Sequence, residues 1–174
     1  IFNAKGYAGT SINDITNATG LSKGSVYGNF ANKDEVALAV FDYNFGRVVS
    51  YLRNEIEKRN GSIEKLMVYP DTYRKFLTIP FLKTGCPVLN ASTDADDTHE
   101  LLKAKVSSAL KMWRKSIEHH VNSGIKSDEI KADVNAADFA IVLMSLVEGS
   151  VMQAKISGKS TELNITMNFL ESMI

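Results

Sequence analysis

The stretch Thr10 to Phe30, TSINDITNATGLSKGSVYGNF, constrains this chain most, because it spells two short helices set across a tight turn. Ser11 can cap the first helix, with Asp14 three residues on as its capping-box partner, and Ile12 and Ile15 then fall on one side. Gly20 ends that helix, since glycine takes the left-handed conformation past a helix terminus without steric cost, and Leu21 behind it can plug the gap between the two helices. Ser22 opens the second helix. There Val26 and Phe30, four residues apart, face inward and leave Lys23, Gly24, Tyr27 and Gly28 outward.

An outer face of this kind suits DNA. It offers a cation at Lys23, backbone amides uncovered at Gly24, hydroxyls at Ser25 and Tyr27, and no carboxylate to repel phosphate. In a helix-turn-helix the N-terminal residues of the second helix meet base edges in the major groove, and this helix carries its polar groups there. Two capped helices about a glycine turn also occur in proteins that never touch nucleic acid. Spacing alone therefore leaves a second reading open, a small-molecule-binding or interaction module whose helix-turn-helix is only structural.

The run Lys5 to Phe41, KGYAGTSINDITNATGLSKGSVYGNFANKDEVALAVF, resembles the N-terminal domain of the TetR/AcrR family of one-component transcriptional regulators. The G-Y-x-x-T-S opening, the G-L-S turn, the S-K-G-S-V-Y-x-N-F recognition helix and the N-K-D-E start of a long helix match in order and spacing. The resemblance implies a ligand-released repressor that binds double-stranded, palindromic operator DNA as a homodimer. It places DNA contacts at Tyr7, Thr10, Ser22, Lys23, Gly24, Ser25, Tyr27, Asn29 and Lys33, with Thr10 and Lys33 on phosphates and Lys23, Ser25 and Tyr27 at base edges or the groove wall. Thr16 and Thr19 depart from the family's usual alanines, and Gly28 stands where a large residue is commoner. Gly28 strips the recognition helix of a side chain at a propensity cost of up to ~1 kcal/mol, so base preferences do not carry over from relatives. Residues 1–9 read as the end of a helix, and the resemblance implies a fuller, often basic first helix.

The 174 residues are 44% hydrophobic, an ordinary composition for a folded protein with one large core or two small ones. Twenty basic and twenty acidic residues cancel, so no global field drives nucleic-acid binding, and a small placed patch is what remains. A single cysteine, Cys86, excludes an intramolecular disulfide and fits a reducing compartment, which with the family resemblance predicts a cytoplasmic protein. No signal-peptide pattern is visible. The longest apolar run, Phe139 to Val147, is interrupted by Ser145 and falls short of the ~20 residues of a membrane span, so no membrane partner is expected.

Asn32, with Glu35 three residues on, predicts a helix from about 33 to 59, long enough to connect two domains. Lys33 in its first turn opposes the helix dipole; a phosphate partner and plain solvation both account for it. After Ser62 an amphipathic stretch reaches Pro70, where a helix would kink or break. Tyr69, Tyr73, Phe76 and Phe81 cluster here. Core packing explains them, and so does the lining of a pocket for a small apolar or aromatic effector, drawn from Tyr69, Tyr73, Phe76, Leu110, Trp113 and Met144. Gly85 to Asn90, GCPVLN, followed by the acidic run Asp94 to His99, resembles a motif of the ligand-binding domain in one TetR subgroup.

Asp94, Asp96, Asp97, His99 and Glu100 lack a second ligand set downstream, and carboxylates at a helix start are already favoured by the dipole, so no metal or other cofactor is expected. Cys86 has no resolving partner for redox sensing. His119 and His120 point about 100° apart on a helix and do not share a metal. No nucleophile elbow or phosphate-binding glycine loop is present, so catalysis is not expected.

Leu102 to Val121 predicts a long amphipathic helix ending near Gly124, and Asn135 caps one running to about 156 that is apolar nearly all round. A last helix starting at Ser160 or Thr161 has two apolar faces. The surplus predicts a twofold four-helix dimer interface using Val147, Val151, Leu163, Met167, Leu170 and Ile174. The predicted architecture is all-α: residues 1–46 form a three-helix helix-turn-helix DNA-binding domain with an incomplete first helix, and 47–174 a helical effector-binding and dimerisation domain.

Overall fold

In the computed structural model, which describes residues 1–95 and 99–174, the described residues form helices and turns with no strand. The caps expected from local sequence set most helix ends. Ser11 accepts the Asp14 amide and Asp14 answers on the Ser11 backbone, opening α2 (Ile12–Thr19), which closes at Gly20 with φ of 72°. The Ser22 hydroxyl accepts the Ser25 amide at 3.0 Å and opens α3 (Lys23–Tyr27). Asn32 accepts the Glu35 amide at 3.0 Å, but the Glu35 carboxylate reaches one residue further back than a capping box requires, to the Ala31 amide at 2.7 Å. This pair opens α4 (Lys33–Glu57). Ahead of these lies α1 (Phe2–Lys5).

Pro70 does not break α5 (Ser62–Arg74). Proline there removes one bond to the Leu66 carbonyl, yet Leu66, Val68, Tyr69, Thr72 and Tyr73 are buried around it, and that packing outweighs a single lost bond. Pro87 stands at the first position of α6 (Pro87–Ala95), where its missing amide costs nothing. The long α7 (Glu100–Lys126) follows. Asn135 accepts the Ala137 and Asp138 amides at the start of α8 (Ala136–Ser157), and α9 (Thr161–Met173) ends the chain.

Packing divides the chain into two units, Ile1–Arg47 with Thr84–Ala109, and Val48–Lys83 with Leu110–Ile174. Chain order would assign 84–109 to the second, but α6 is tied to α1 by the Asn90 amide, which donates to the Asn3 carbonyl at 2.8 Å. The first unit's core is Phe2, Ile15, Val26, Val36 and Ala37, flanked by Tyr7, Ile12, Phe30 and Val40. Ile15 and Val26 thus lock α2 and α3 together, as their spacing predicts.

In the second unit α5, α8 and α9 pack on one another. Arg74 donates to Asn168 at 2.7 Å and pairs with Glu171, pinning α5 to α9. By length and composition α8 could cross a membrane, contrary to what its interrupted apolar run predicts. One side of it, at Ala140, Leu143, Val147, Val151 and Ala154, is fully buried within the unit.

Candidate nucleic-acid interface

The outer side of α3 is built by difference: Val26, 4% exposed, anchors the helix, and its neighbours Ser22, Lys23, Gly24, Ser25, Tyr27 and Asn29 are all exposed. The Ser22 and Ser25 hydroxyls lie 2.9 Å apart and the Asn29 amide donates to the Ser25 carbonyl at 2.9 Å, so the polar groups of this face are pre-oriented by the helix itself. Among the described residues Lys23 makes no ion pair, leaving its charge available to phosphate. Lys5 is different. It pairs with Asp14 at 2.7 Å, and that bond, with the Ser11 hydroxyl, holds the Asp14 carboxyl well below the usual carboxylate range.

Two expectations fail here. Thr10 is 1% exposed and its hydroxyl donates to the Gly6 carbonyl at 2.7 Å, so it serves the turn before α2 and presents nothing to a phosphate. Leu21 is half exposed and plugs no gap between α2 and α3. The departures Thr16 and Thr19 are absorbed by backbone carbonyls, of Asn13 at 2.9 Å and Ile15 at 2.8 Å, which explains how polar residues fit where alanine is usual.

Tyr7 and Lys33 form a second group in the first unit, and both are half-buried. The Lys33 ammonium donates to the Tyr7 carbonyl at 3.0 Å and lies 4.1 Å from the centre of the Tyr7 ring. The Tyr7 hydroxyl donates to Asp34; that bond, with burial and the Asp34 charge, pushes the phenol up to about 12. The group extends to residues with no signal near Tyr7 in the sequence: Asp94 accepts the Tyr7 amide at 2.8 Å, and the His99 ring meets the Tyr7 ring edge-on at 4.9 Å. Asp96 and Asp97 lie outside the described residues. Among the described residues no three acidic, histidine or cysteine side chains converge as metal ligands, and Cys86 is buried.

The residues expected to line an effector pocket are mostly core. Tyr69, Tyr73 and Phe76 are at most 1% exposed, Trp113 and Met144 are buried, and Leu110 lies on the surface. The structure does bring three of them together: Tyr69 and Tyr73 stack on Trp113 with ring centres 6.5 and 5.8 Å away. Tyr69 donates to the Ser116 hydroxyl at 3.1 Å, whereas the Trp113 indole N–H is buried without an acceptor among the described residues. An open cleft of about 270 Å³ in the same unit is lined by other, largely polar residues, among them Tyr51, Glu55, Arg59 and Lys75.

The dimer-interface residues also need correction. Val147, Val151, Leu163, Met167 and Leu170 are fully buried within the unit, consumed by packing among α5, α8 and α9, and Ile174 is half-buried. The surplus apolar surface lies on the opposite sides of the two helices, at Ile141, Val142, Met152 and Ile156 of α8 and Ile165, Phe169 and Met173 of α9.

Comparison with known proteins bears on both units. Residues 1–40 match the model of bacterial regulatory proteins of the tetR family, and residues 62–170 match the tetracyclin repressor-like C-terminal domain. A TetR transcriptional regulator from Chloroflexus aurantiacus superposes with a TM-score of 0.94 at 35% identity, covering 98% of this chain and 86% of its own. A TetR-family regulator from Cytophaga hutchinsonii gives 0.90 at 36% identity with the same coverage. CifR, a TetR-family regulator solved with a 26-bp double-strand operator DNA, shares the fold at 0.86 and 19% identity, over 99% of this chain and 90% of its own. This chain belongs to the TetR family and is a DNA-binding transcriptional regulator.

Proposed function

We propose that this regulator is a repressor that binds a palindromic operator as a homodimer and leaves it when a small apolar or aromatic effector binds. The observation that carries this reading is the exposed α3 face, where Ser22, Lys23, Gly24, Ser25, Tyr27 and Asn29 surround the buried Val26. In this reading residues 1–46 read DNA, with Lys33 on phosphate, while residues 47–174 hold the effector and the dimer contact. CifR on its operator lends support by fold. The exposed apolar face of α8 and α9 supports pairing with a second copy of the chain, which would bury it in a four-helix contact. The stacked Tyr69, Tyr73 and Trp113, with a buried N–H awaiting an acceptor, support an effector with a flat apolar body and a hydrogen-bond acceptor. A reducing cytoplasm suits the lone cysteine and the DNA partner.

The test is a titration of the protein with duplexes from upstream of its own gene at several salt concentrations. Saturable, sequence-dependent binding that weakens steeply with salt is expected. Binding that is equally weak for every sequence would reject the repressor reading.

A further inference from the structure

Tyr7 is held from two directions within the first unit. From α4, Lys33 bonds its carbonyl and covers its ring, and Asp34 takes its hydroxyl. From α6, Asp94 accepts its amide at 2.8 Å. The preceding residue makes this approach possible. Gly6 has φ of 77°, and a Cβ there would lie 2.8 Å from both Asp94 carboxylate oxygens, so a side chain at residue 6 would push the carboxylate off the Tyr7 amide. A second strut runs alongside. Asn90 donates to the Asn3 carbonyl and side-chain oxygen at 2.8 and 3.0 Å, and Asn3 donates to Thr84 and Gly85 at 3.0 and 2.8 Å.

These struts border a shallow, open cleft lined by Phe2, Tyr7, Phe41, Asn90 and Asp94 among others. Polar bonds from Asn90 and Asp94 thus join α6 to the segment around Asn3 and Tyr7. We propose that Asp94 is a positioning residue for operator binding: by accepting the Tyr7 amide it fixes the carbonyl and ring on which the Lys33 ammonium is presented to a DNA phosphate. The ammonium uses one of its three donors on Tyr7 and keeps the others for phosphate. Asp94 touches no DNA itself in this scheme. Its effect passes through Tyr7, and the proposal rests on the operator-binding reading.

The experiment compares the full chain with Asp94→Ala, Asp94→Asn, Lys33→Ala and the Asp94→Ala/Lys33→Ala double variant. Each is titrated with the operator duplex across a salt series, and amide exchange at Tyr7 is followed without DNA. Asp94→Ala is expected to speed Tyr7 exchange, weaken operator binding roughly tenfold and lower the salt slope by about one unit. Adding Lys33→Ala to it should then cost less than Lys33→Ala costs alone. Asp94→Asn keeps a side-chain acceptor of the same size and should recover most of the affinity. Should Asp94→Ala fail to fold, Asp94→Leu and Gly6→Ala address the same bond, with the same non-additivity expected. Faster Tyr7 exchange with unchanged operator affinity overturns the proposal, and so do fully additive effects of Asp94 and Lys33. A wild-type protein that binds no duplex selectively withdraws the operator reading, and the proposal with it, while Tyr7 exchange still reports the bond.

Discussion

Thr10 and Lys23 belong to one motif but differ in exposure, and the proposed reading gives them different tasks. Thr10 is buried with its hydroxyl on the Gly6 carbonyl, so Thr10→Val should destabilise the protein by about 1 kcal/mol in urea unfolding and leave the salt slope of operator binding unchanged. Lys23 is exposed, and Lys23→Ala should lower the slope by about one unit and alter sequence preference without moving the unfolding midpoint. A Thr10→Val protein with a flattened slope would return that residue to the interface. Titration adds a further residue-scale outcome. Burial, with the charges of His119 and Lys65, lowers the His120 imidazole to about 4 from its usual value near 6.5. Its stabilising contribution is present above pH 6.5 and is lost as pH falls towards 4, because the unfolded chain takes up the proton first. The loss is on the order of 1 kcal/mol once screening of a half-buried group is allowed for. His120→Gln should flatten this part of the stability curve, as chemical denaturation at pH 7, 5.5 and 4 would show.

Within a single element, α9 separates two neighbouring residues that the sequence makes look alike. Leu170 is fully buried and Phe169 is half exposed, because adjacent residues point about 100° apart. Leu170→Glu places a charge in the core at a cost of several kcal/mol and should yield unfolded or insoluble protein. Phe169→Glu should remain folded by circular dichroism but sediment as a monomer, with weakened operator binding since a monomer reaches one half-site. A dimeric Phe169→Glu protein would move the contact away from this face. The same helix marks what was legible beforehand. Helix periodicity gave α9 two apolar faces, but choosing the inner one requires knowing that α5 and α8 lie against it, information carried by residues far along the chain. Local signals fared better: the caps at Ser11, Ser22, Asn32 and Asn135 and the stop at Gly20 involve neighbours within four residues. The Tyr7–Asp94 bond joins residues 87 apart, and no short pattern announces it. Pro70 was misleading because a proline rule describes an isolated helix, whereas α5 is held by its surroundings.

For the whole molecule, the proposed release by an effector requires that effector and operator favour different conformations, each by differential affinity. The helices α4 and α7 each begin in one packing unit and end in the other, so covalent continuity links the unit that carries the exposed α3 face to the unit that contains Trp113. Trp113 is the chain's single tryptophan, and it stacks on Tyr69 and Tyr73 with its N–H unanswered among the described residues. An apolar effector carrying an acceptor that enters this cluster should therefore change tryptophan fluorescence, and Trp113→Phe should weaken it by removing the donor while preserving much of the packing. Linkage then sets a quantitative demand. If the effector lowers operator affinity by a coupling of ~1 to 3 kcal/mol, roughly 5- to 150-fold, saturating operator must lower effector affinity by the same factor. Fluorescence titrations of one compound with and without operator duplex measure that factor directly. A compound that changes the Trp113 signal but binds equally well in both titrations is not the inducer, however tight its binding, because it has no free-energy preference between the two conformations.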